Sequence, residues 1–168
     1  KSYAAKLVSL VSRIILITMK VRVKYNGEVD NSENYFIVAN HLTYIDILII
    51  SQKFPTLFVT SMEMKKTPVL GQITDLAGCL YVDRKNKSNI HDEVKDITNA
   101  LRDGFHVTVF PEATSTNGEE VIKFKRSLYE AAVDANVDVL PITFNYQSIN
   151  DEELSLNNRD YLFWYDDT

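Results

Sequence analysis

His41 and Asp46 are the residues whose types and spacing first suggest chemistry, five positions apart in Asn40-His41-Leu42-Thr43-Tyr44-Ile45-Asp46. A carboxylate that holds one imidazole nitrogen fixes the tautomer and stabilises the imidazolium, so the other nitrogen can take a proton from a substrate. The pair therefore predicts a general base. A structural alternative is open, because Thr43 and Asp46 also fit a helix capping box, where a first-turn carboxylate is stabilising.

Two predicted elements position this pair. The apolar run at residues 35–39 is typical of a buried strand, and the amphipathic segment at residues 46–53 predicts a helix. A strand that leads into a helix places the connecting residues at the edge of a sheet, where open α/β folds bind their ligands. We therefore expect His41 and Asp46 at that edge.

The rest of the chain alternates in the same way. Further strands are predicted at residues 21–25, 57–60, 78–82, 106–110 and 139–144, and helices at residues 7–19, 68–77, 89–102 and 125–135. This alternation predicts an α/β fold with a mixed, largely parallel sheet covered by helices. The 168 residues suffice for one domain. We expect residues 1–24 to form a basic amphipathic helix and the start of the first strand, and residues 25–168 to form a catalytic domain with a truncated C-terminus.

The charge is unevenly distributed. Residues 1–24 hold six of the 18 basic residues and no acid, which leaves 12 basic and 23 acidic residues in positions 25–168. Nucleic acid is therefore not an expected partner of the body. The apolar run at residues 7–19 is too short for a spanning helix, which needs about 20 apolar residues. Its composition favours an amphipathic helix on an anionic membrane surface, and a helix that covers the domain's own sheet is the alternative.

Cysteine and histidine usage limits the chemistry further. The single Cys79 excludes an internal disulfide and a cysteine-based metal site, which suits a reducing compartment. The small and apolar neighbours of Cys79 favour a buried structural thiol over a nucleophile. The three histidines stand apart without ligand spacing, so no metal site is predicted.

Three of the predicted strands end in polar residues that a core does not favour. These are Asn40-His41, Asp83-Arg84 and Pro111-Glu112. If the strands run parallel, their ends meet at one edge of the sheet and supply a base, a cation and a carboxylate to a single cleft.

Four short blocks carry a family resemblance. In chain order they are Asn40-His41-Leu42-Thr43-Tyr44-Ile45-Asp46, Gly78-Cys79-Leu80-Tyr81-Val82-Asp83-Arg84, Phe110-Pro111-Glu112-Ala113-Thr114-Ser115-Thr116 and Leu140-Pro141-Ile142. In order and spacing they resemble the four blocks of the glycerolipid acyltransferases, whose first block reads NHxxxxD. The resemblance covers about residues 20–165.

The resemblance implies acyl transfer from a thioester, acyl-CoA or acyl carrier protein, to the hydroxyl of a lysolipid at the cytoplasmic face of a membrane, with no other cofactor. His41 would remove the hydroxyl proton, Asp46 would orient its ring, and no covalent acyl-enzyme is expected. Because a thioester is already activated, positioning and deprotonating the alcohol is most of the task. The candidate substrate contacts are Asn40, Arg84, Glu112, Thr114 and Lys125.

These contacts have different expected roles. Donors near Asn40 or in the Glu112 loop are candidates to stabilise the oxyanion. Arg84 is expected to hold an acceptor headgroup or phosphate, because a guanidinium binds such oxygens in a bidentate way; a salt bridge with the neighbourhood of Asp83 or with Glu112 is its alternative. Glu112 is expected either to order its loop or to bind acceptor hydroxyls. Lys125 matches a basic position that follows the family's third block, and a solvated helix start is the alternative.

Three departures from the family pattern bear on the acceptor. Ala113 replaces a glycine of the third block, Ser115 replaces its arginine, and Ser61 stands where a lysine is usual. The two lost cations predict a less anionic acceptor than lysophosphatidic acid, and the third block resembles the branch that acylates lyso-ornithine lipids or lysophosphatidylcholine. The candidate acceptors are 1-acyl-sn-glycerol-3-phosphate, lyso-ornithine lipid and other lysophospholipids.

Two other functions are weighed against this one. The changes at Ala113 and Ser115 are compatible with a catalytically silent lipid-binding module. A lipid hydrolase would use Ser115 or Ser61 with His41 and Asp46, but the chain has no G-x-S-x-G turn to present either serine.

Overall fold

A five-stranded parallel sheet forms the centre of the chain in a computed structural model that describes residues 2–30, 32–83 and 87–165. The strands are β1 (Phe36–Ala39), β2 (Thr56–Ser61), β3 (Leu80–Val82), β4 (His106–Val109) and β5 (Val139–Ile142), in the spatial order β3-β2-β4-β1-β5. Each neighbouring pair is parallel. The predicted α/β fold is thereby confirmed, and the carboxyl ends of all five strands lie at one edge.

Helices cover both faces of this sheet. The described helices are α1 (Ser2–Thr18), α2 (Tyr44–Lys53), α3 (Met62–Lys66), α4 (Leu70–Leu76), α5 (Ile90–Arg102) and α6 (Glu130–Ala135). Alternate residues of β1 point to opposite faces. Phe36 and Val38 belong to the core under α5 and α6, whereas Ile37 and Ala39 belong to the core under α2. Every residue of β1 is buried, as is typical of a central parallel strand.

Helix α1 packs against α2 and leaves much of its apolar surface exposed. Leu16 is buried, and the Ser9 hydroxyl lies 3.5 Å from the Gln52 carbonyl oxygen that it donates to. The exposed apolar residues of the helix are Tyr3, Leu7, Leu10, Val11, Ile14 and Ile17. Of the helices in the described ranges, none is long and apolar enough to cross a membrane.

The predicted strand at residues 21–25 is wrong. Val21 and Val23 are half-buried and Arg22 and Lys24 are exposed, so the predicted alternation is real, but the segment pairs with no strand among the described residues. It runs beside the end of α2, where Gln52 Nε2 donates to the Tyr25 hydroxyl oxygen at 2.6 Å. Alternation marks one covered face, and a strand also needs a hydrogen-bonded neighbour.

Smaller differences concern short elements. The predicted helix at residues 125–135 begins later, as a 3₁₀ turn (Ser127–Tyr129) that continues into α6. Helix α3 and the two-stranded hairpin β6 (Ser148–Ile149) with β7 (Glu152–Glu153) were not predicted. The sequence boundary at residue 24 between a membrane-contacting segment and a catalytic domain stays a prediction.

Candidate active site

His41 and Asp46 meet at the carboxyl end of β1, as the sequence predicted. His41 Nδ1 and Asp46 Oδ2 are 2.9 Å apart, and the side chains are 16% and 0% exposed. The imidazole also stacks on Phe110, with ring centroids 4.0 Å apart and planes at 14°. Because Nδ1 is committed to the carboxylate, Nε2 is the nitrogen that can take a proton from a substrate.

The Asp46 carboxylate has a structural role at the same time. Its Oδ2 accepts the backbone N–H groups of Leu42 at 2.7 Å and Thr43 at 2.9 Å. These bonds occupy the turn before α2 and place Asp46 in that helix's first turn. The capping interpretation and the orienting interpretation therefore describe one arrangement, in which the helix start holds the carboxylate against the imidazole.

Tyr146 is a site residue that the sequence analysis missed. Its hydroxyl donates to Asp46 Oδ1 at 2.6 Å, and its ring packs against Phe144 and Phe163. Burial, together with the negative charge of Asp46, raises the pKa of Tyr146 far above its ordinary value, so the phenol stays a donor. The residue lies 100 positions from Asp46, and no local pattern marks it. The short polar–aromatic segment after the fourth block was the available signal.

Asn40 links the end of β1 to the segment after β5. Its Oδ1 accepts the Phe144 N–H at 2.8 Å, and its Nδ2 donates to the Phe144 carbonyl oxygen at 3.3 Å. The side chain thus replaces a pair of backbone ladder bonds beyond the strand ends. An amide nitrogen has two N–H groups. A contact between Asn40 and an oxyanion would use the second N–H group of this nitrogen, and it stays a prediction.

Glu112 is buried and holds the loop after β4 against the loop after β1. It is 3% exposed; Oε1 accepts the His41 N–H and Oε2 accepts the Ile122 N–H, each at 3.3 Å. The Thr116 N–H in turn donates to the His41 carbonyl oxygen at 2.9 Å. The backbone of His41 is therefore fixed on both sides by the third block, and Glu112 fits the loop-ordering role more directly than contact with an acceptor.

Ala113 keeps the backbone conformation that glycine would favour. Its φ is 62°, in the left-handed region, and its N–H donates to the Phe110 carbonyl oxygen at 2.9 Å. A Cβ makes this region unfavourable for residues other than glycine. The alanine therefore leaves the turn's shape in place and adds strain to it.

Three predicted substrate contacts remain: Thr114, Lys125 and Arg84. Thr114 is exposed, and its hydroxyl bonds the Ser115 carbonyl oxygen at 3.4 Å. Lys125 is exposed too, and its N–H donates to the Pro111 carbonyl oxygen at 2.9 Å, which places it beside the Glu112 loop. Asp83 follows the edge strand β3, which is separated from β1 by two strands, β2 and β4. Arg84 lies outside the described residues, and its role stays a prediction.

An open cleft of about 530 Å³ adjoins this network. Its lining includes Asn40, Leu42, Glu112 and Tyr146, which adjoin or bond to His41 and Asp46, and Arg159 lies in its wall. The cleft is bounded by the third-block loop and by the segments that follow β5. A ligand there would contact residues bonded directly to His41 or Asp46.

The described residues offer little to the competing chemistries. Ser61 Oγ accepts the Met64 N–H at 3.3 Å and so caps α3. Burial raises the pKa of Cys79 to about 11, which keeps the thiol protonated at neutral pH. In the described ranges no three histidine, cysteine, aspartate or glutamate side chains cluster in a way that would hold a metal ion.

Comparison with known proteins agrees with this geometry. The model of the family described as Acyltransferase matches residues 20–145. The lyso-ornithine lipid O-acyltransferase of Rhizobium meliloti is 30% identical over 159 residues, which cover 90% of this chain and 54% of that protein. The 1-acyl-sn-glycerol-3-phosphate acyltransferase of Neisseria gonorrhoeae is 30% identical over 117 residues, which cover 70% of this chain and 46% of that protein.

The fold has a solved counterpart as well. The crystal structure of the 1-acyl-sn-glycerophosphate acyltransferase PlsC from Thermotoga maritima aligns with a TM-score of 0.65 at 23% identity, covering 82% of this chain and 56% of that one. The chain thus spans about half the length of the relatives it matches. The family match covers most of the chain and includes all four blocks, so the chain belongs to the acyltransferase family.

Proposed function

We propose that this chain provides the catalytic domain of a lysolipid O-acyltransferase. The observation that carries the proposal is the 2.9 Å contact between His41 Nδ1 and the fully buried Asp46, with the imidazole partly open to solvent. Relatives named as lyso-ornithine lipid and 1-acyl-sn-glycerol-3-phosphate acyltransferases support the reaction class.

The reaction follows from the arrangement of the pair. The lysolipid hydroxyl oxygen attacks the thioester carbonyl while His41 Nε2 takes the hydroxyl proton, and Asp46 stabilises the imidazolium. The tetrahedral oxyanion then collapses, the carbon–sulfur bond breaks, and the thiolate leaves with the proton from His41. The acyl group passes directly to the acceptor, so no covalent enzyme intermediate is needed.

Donor, acceptor and location form the remaining part of the proposal. The donor is an acyl thioester, acyl-CoA or acyl carrier protein, and the acceptor is a lysolipid. The exposed apolar residues of α1 and the basic residues among them support attachment to an anionic membrane surface. We propose the cytoplasmic face of the membrane as the location, because a chain with a single cysteine forms no internal disulfide and so does not need an oxidising compartment.

The test is an acyl-transfer assay with labelled acyl-CoA and a panel of lysolipids. We expect His41→Ala to lower transfer by about 10²-fold or more, the scale of losing a general base. His91→Ala is the matched control, because His91 is exposed on α5. Equal transfer by wild type and His41→Ala would remove His41 from the mechanism. Fatty acid release without transfer would indicate a hydrolase, and lysolipid binding without turnover a binding module.

A further inference from the structure

An ion pair lies in the wall of the cleft beside the proposed active site. Arg159 Nη2 donates to Glu119 Oε1 at 2.7 Å, and the Arg159 side chain is only 16% exposed. The guanidinium lowers the pKa of Glu119, so this carboxylate stays charged. Both residues line the cleft together with Glu112 and Tyr146, which are bonded to His41 and Asp46.

The guanidinium has unused hydrogen-bonding capacity. Its Nε is buried and has no hydrogen-bond partner among the described residues, and Asp160 Oδ1 lies 3.8 Å from it. A guanidinium carries five N–H donors. A buried donor without a partner is costly. An anionic group in the cleft can accept the guanidinium N–H groups that Glu119 leaves free.

The charges that line the cleft are mixed, with an excess of acid. The described residues that line the cleft include three acidic side chains, Glu112, Glu119 and Glu120, and one basic side chain, Arg159. Glu112 is buried and accepts two backbone N–H groups. Glu119 accepts hydrogen bonds from Arg159 and the Asn117 side-chain amide, but its side chain is 56% exposed, and Glu120 is exposed too, so these two carboxylates are the ones that a ligand can reach. A phosphate monoester with two negative charges would meet net repulsion there, whereas an ammonium group would be attracted.

We propose that this cleft binds the headgroup of a zwitterionic lysolipid, with Arg159 holding its one anionic group and Glu119 and Glu120 holding its ammonium group. The inference rests on the proposed function and specifies its acceptor. Arg159, from a distant part of the chain, is the one cation among the described residues that line the cleft, and Ser115 stands where the third block of the family has an arginine. Lyso-ornithine lipid and lysophosphatidylethanolamine both carry an ammonium group and a single anionic group.

The experiment measures kcat/KM for four acceptors with the same acyl chain: lyso-ornithine lipid, lysophosphatidylethanolamine, lysophosphatidylcholine and lysophosphatidic acid. We expect wild type to prefer the two primary-ammonium acceptors, lyso-ornithine lipid and lysophosphatidylethanolamine, over lysophosphatidic acid by about tenfold or more, one well-placed charge interaction. Lysophosphatidylcholine should fall between these two and lysophosphatidic acid, because its quaternary ammonium is attracted to the carboxylates but cannot donate a hydrogen bond to them. The faster of those two acceptors identifies the source of the headgroup. A preference for lysophosphatidic acid would overturn the inference.

Two variants separate binding from folding. Glu119→Gln with Glu120→Gln should raise KM for the two primary-ammonium acceptors about tenfold and leave KM for lysophosphatidic acid equal or lower. Arg159→Gln should raise KM for all four acceptors. Arg102→Gln is the control, because Arg102 is an exposed arginine of α5 that donates to the Asp134 carbonyl oxygen in α6 and does not line the cleft. Partial unfolding lowers all four rates together, so an unchanged ratio between acceptors in the double variant would overturn the inference.

Direct binding distinguishes failure of this inference from failure of the proposed function. Calorimetric titration of His41→Ala with short-chain forms of the same four lysolipids should give the same order of affinity. If wild type transfers no acyl group but this order holds, the enzyme proposal fails and the headgroup assignment stands. If transfer occurs and the titration shows no headgroup order, the assignment fails and the enzyme proposal stands.

Discussion

Four hydrogen bonds converge on the buried carboxylate of Asp46, from His41, Leu42, Thr43 and Tyr146. Two of them are backbone bonds at the start of α2 and fix the carboxylate to the helix. The Tyr146 bond holds the other oxygen, so the group cannot rotate away from the imidazole without breaking it. In the proposed reaction Tyr146 is therefore a positioning residue, which would act through Asp46 and His41.

Tyr146→Phe tests this role. The change removes one donor and leaves Asp46 Oδ1 buried with a lost partner, so the free energy of unfolding should fall by about 1–3 kcal/mol. We expect kcat to drop about tenfold with KM unchanged, because the imidazole is held less firmly while the headgroup contacts remain. Tyr161→Phe, at an 83% exposed tyrosine, is the control. A stability loss with full kcat would make Tyr146 purely structural.

The strained turn at Ala113 gives a prediction about stability. Its φ of 62° favours glycine. Ala113→Gly should therefore raise the free energy of unfolding by about 1 kcal/mol, measured by urea denaturation. Ala135→Gly, in the last turn of α6, should lower it by about the same amount, because glycine is unfavourable in a helix. A loss of stability in Ala113→Gly would mean that the alanine methyl group makes contacts that outweigh the strain.

At the scale of elements, the local sequence pattern predicted most strands and helices correctly but not the contacts between distant segments. Apolar runs and helical periods predicted the five sheet strands and the longer helices. They also predicted the site residues that directly follow a strand, which are His41 with Asp46 after β1 and Glu112 after β4. The strand at residues 21–25 failed because pairing depends on a neighbour that the segment itself does not encode. Tyr146 and Arg159 were missed for the same reason, since each reaches the site from a distant part of the chain.

Helix α1 carries the element-scale prediction. Leu10 and Ile14 are 56% and 53% exposed and lie on one side of the helix, four residues apart. Burying an apolar side chain stabilises by about 1.5–3 kcal/mol. Replacing both residues with aspartate should therefore weaken binding to anionic lipid vesicles by about tenfold or more in a sedimentation assay. Val133→Asp, at an exposed valine of α6, is the control. Equal vesicle binding by both proteins would show that α1 does not attach the domain.

In the molecule as a whole, the carboxyl edge and the amino edge of the parallel sheet have different roles. Its carboxyl edge gathers the loops after β1, β4 and β5 around His41 and Asp46. Its amino edge contains His106, the first residue of β4, whose Nδ1 accepts the Tyr35 N–H at 3.1 Å and whose ring stacks on Tyr35. That bond requires an unprotonated Nδ1, and burial lowers the pKa of His106 from its ordinary 6.5. The edge away from the proposed chemistry is therefore the one whose packing depends on a neutral histidine.

Global stability should consequently depend on pH through His106. The unfolded chain binds a proton at this histidine below about pH 6.5, and the folded chain does so only at lower pH, so protonation favours unfolding. The stabilisation is complete above pH 6.5 and is lost as the pH falls through the folded pKa. In His106→Asn the Oδ1 can accept the Tyr35 N–H at every pH. We expect urea denaturation between pH 7.5 and 5.5 to show a smaller loss of stability in His106→Asn than in wild type, with His91→Asn behaving as wild type. Parallel losses in all three proteins would assign the acid sensitivity to other groups.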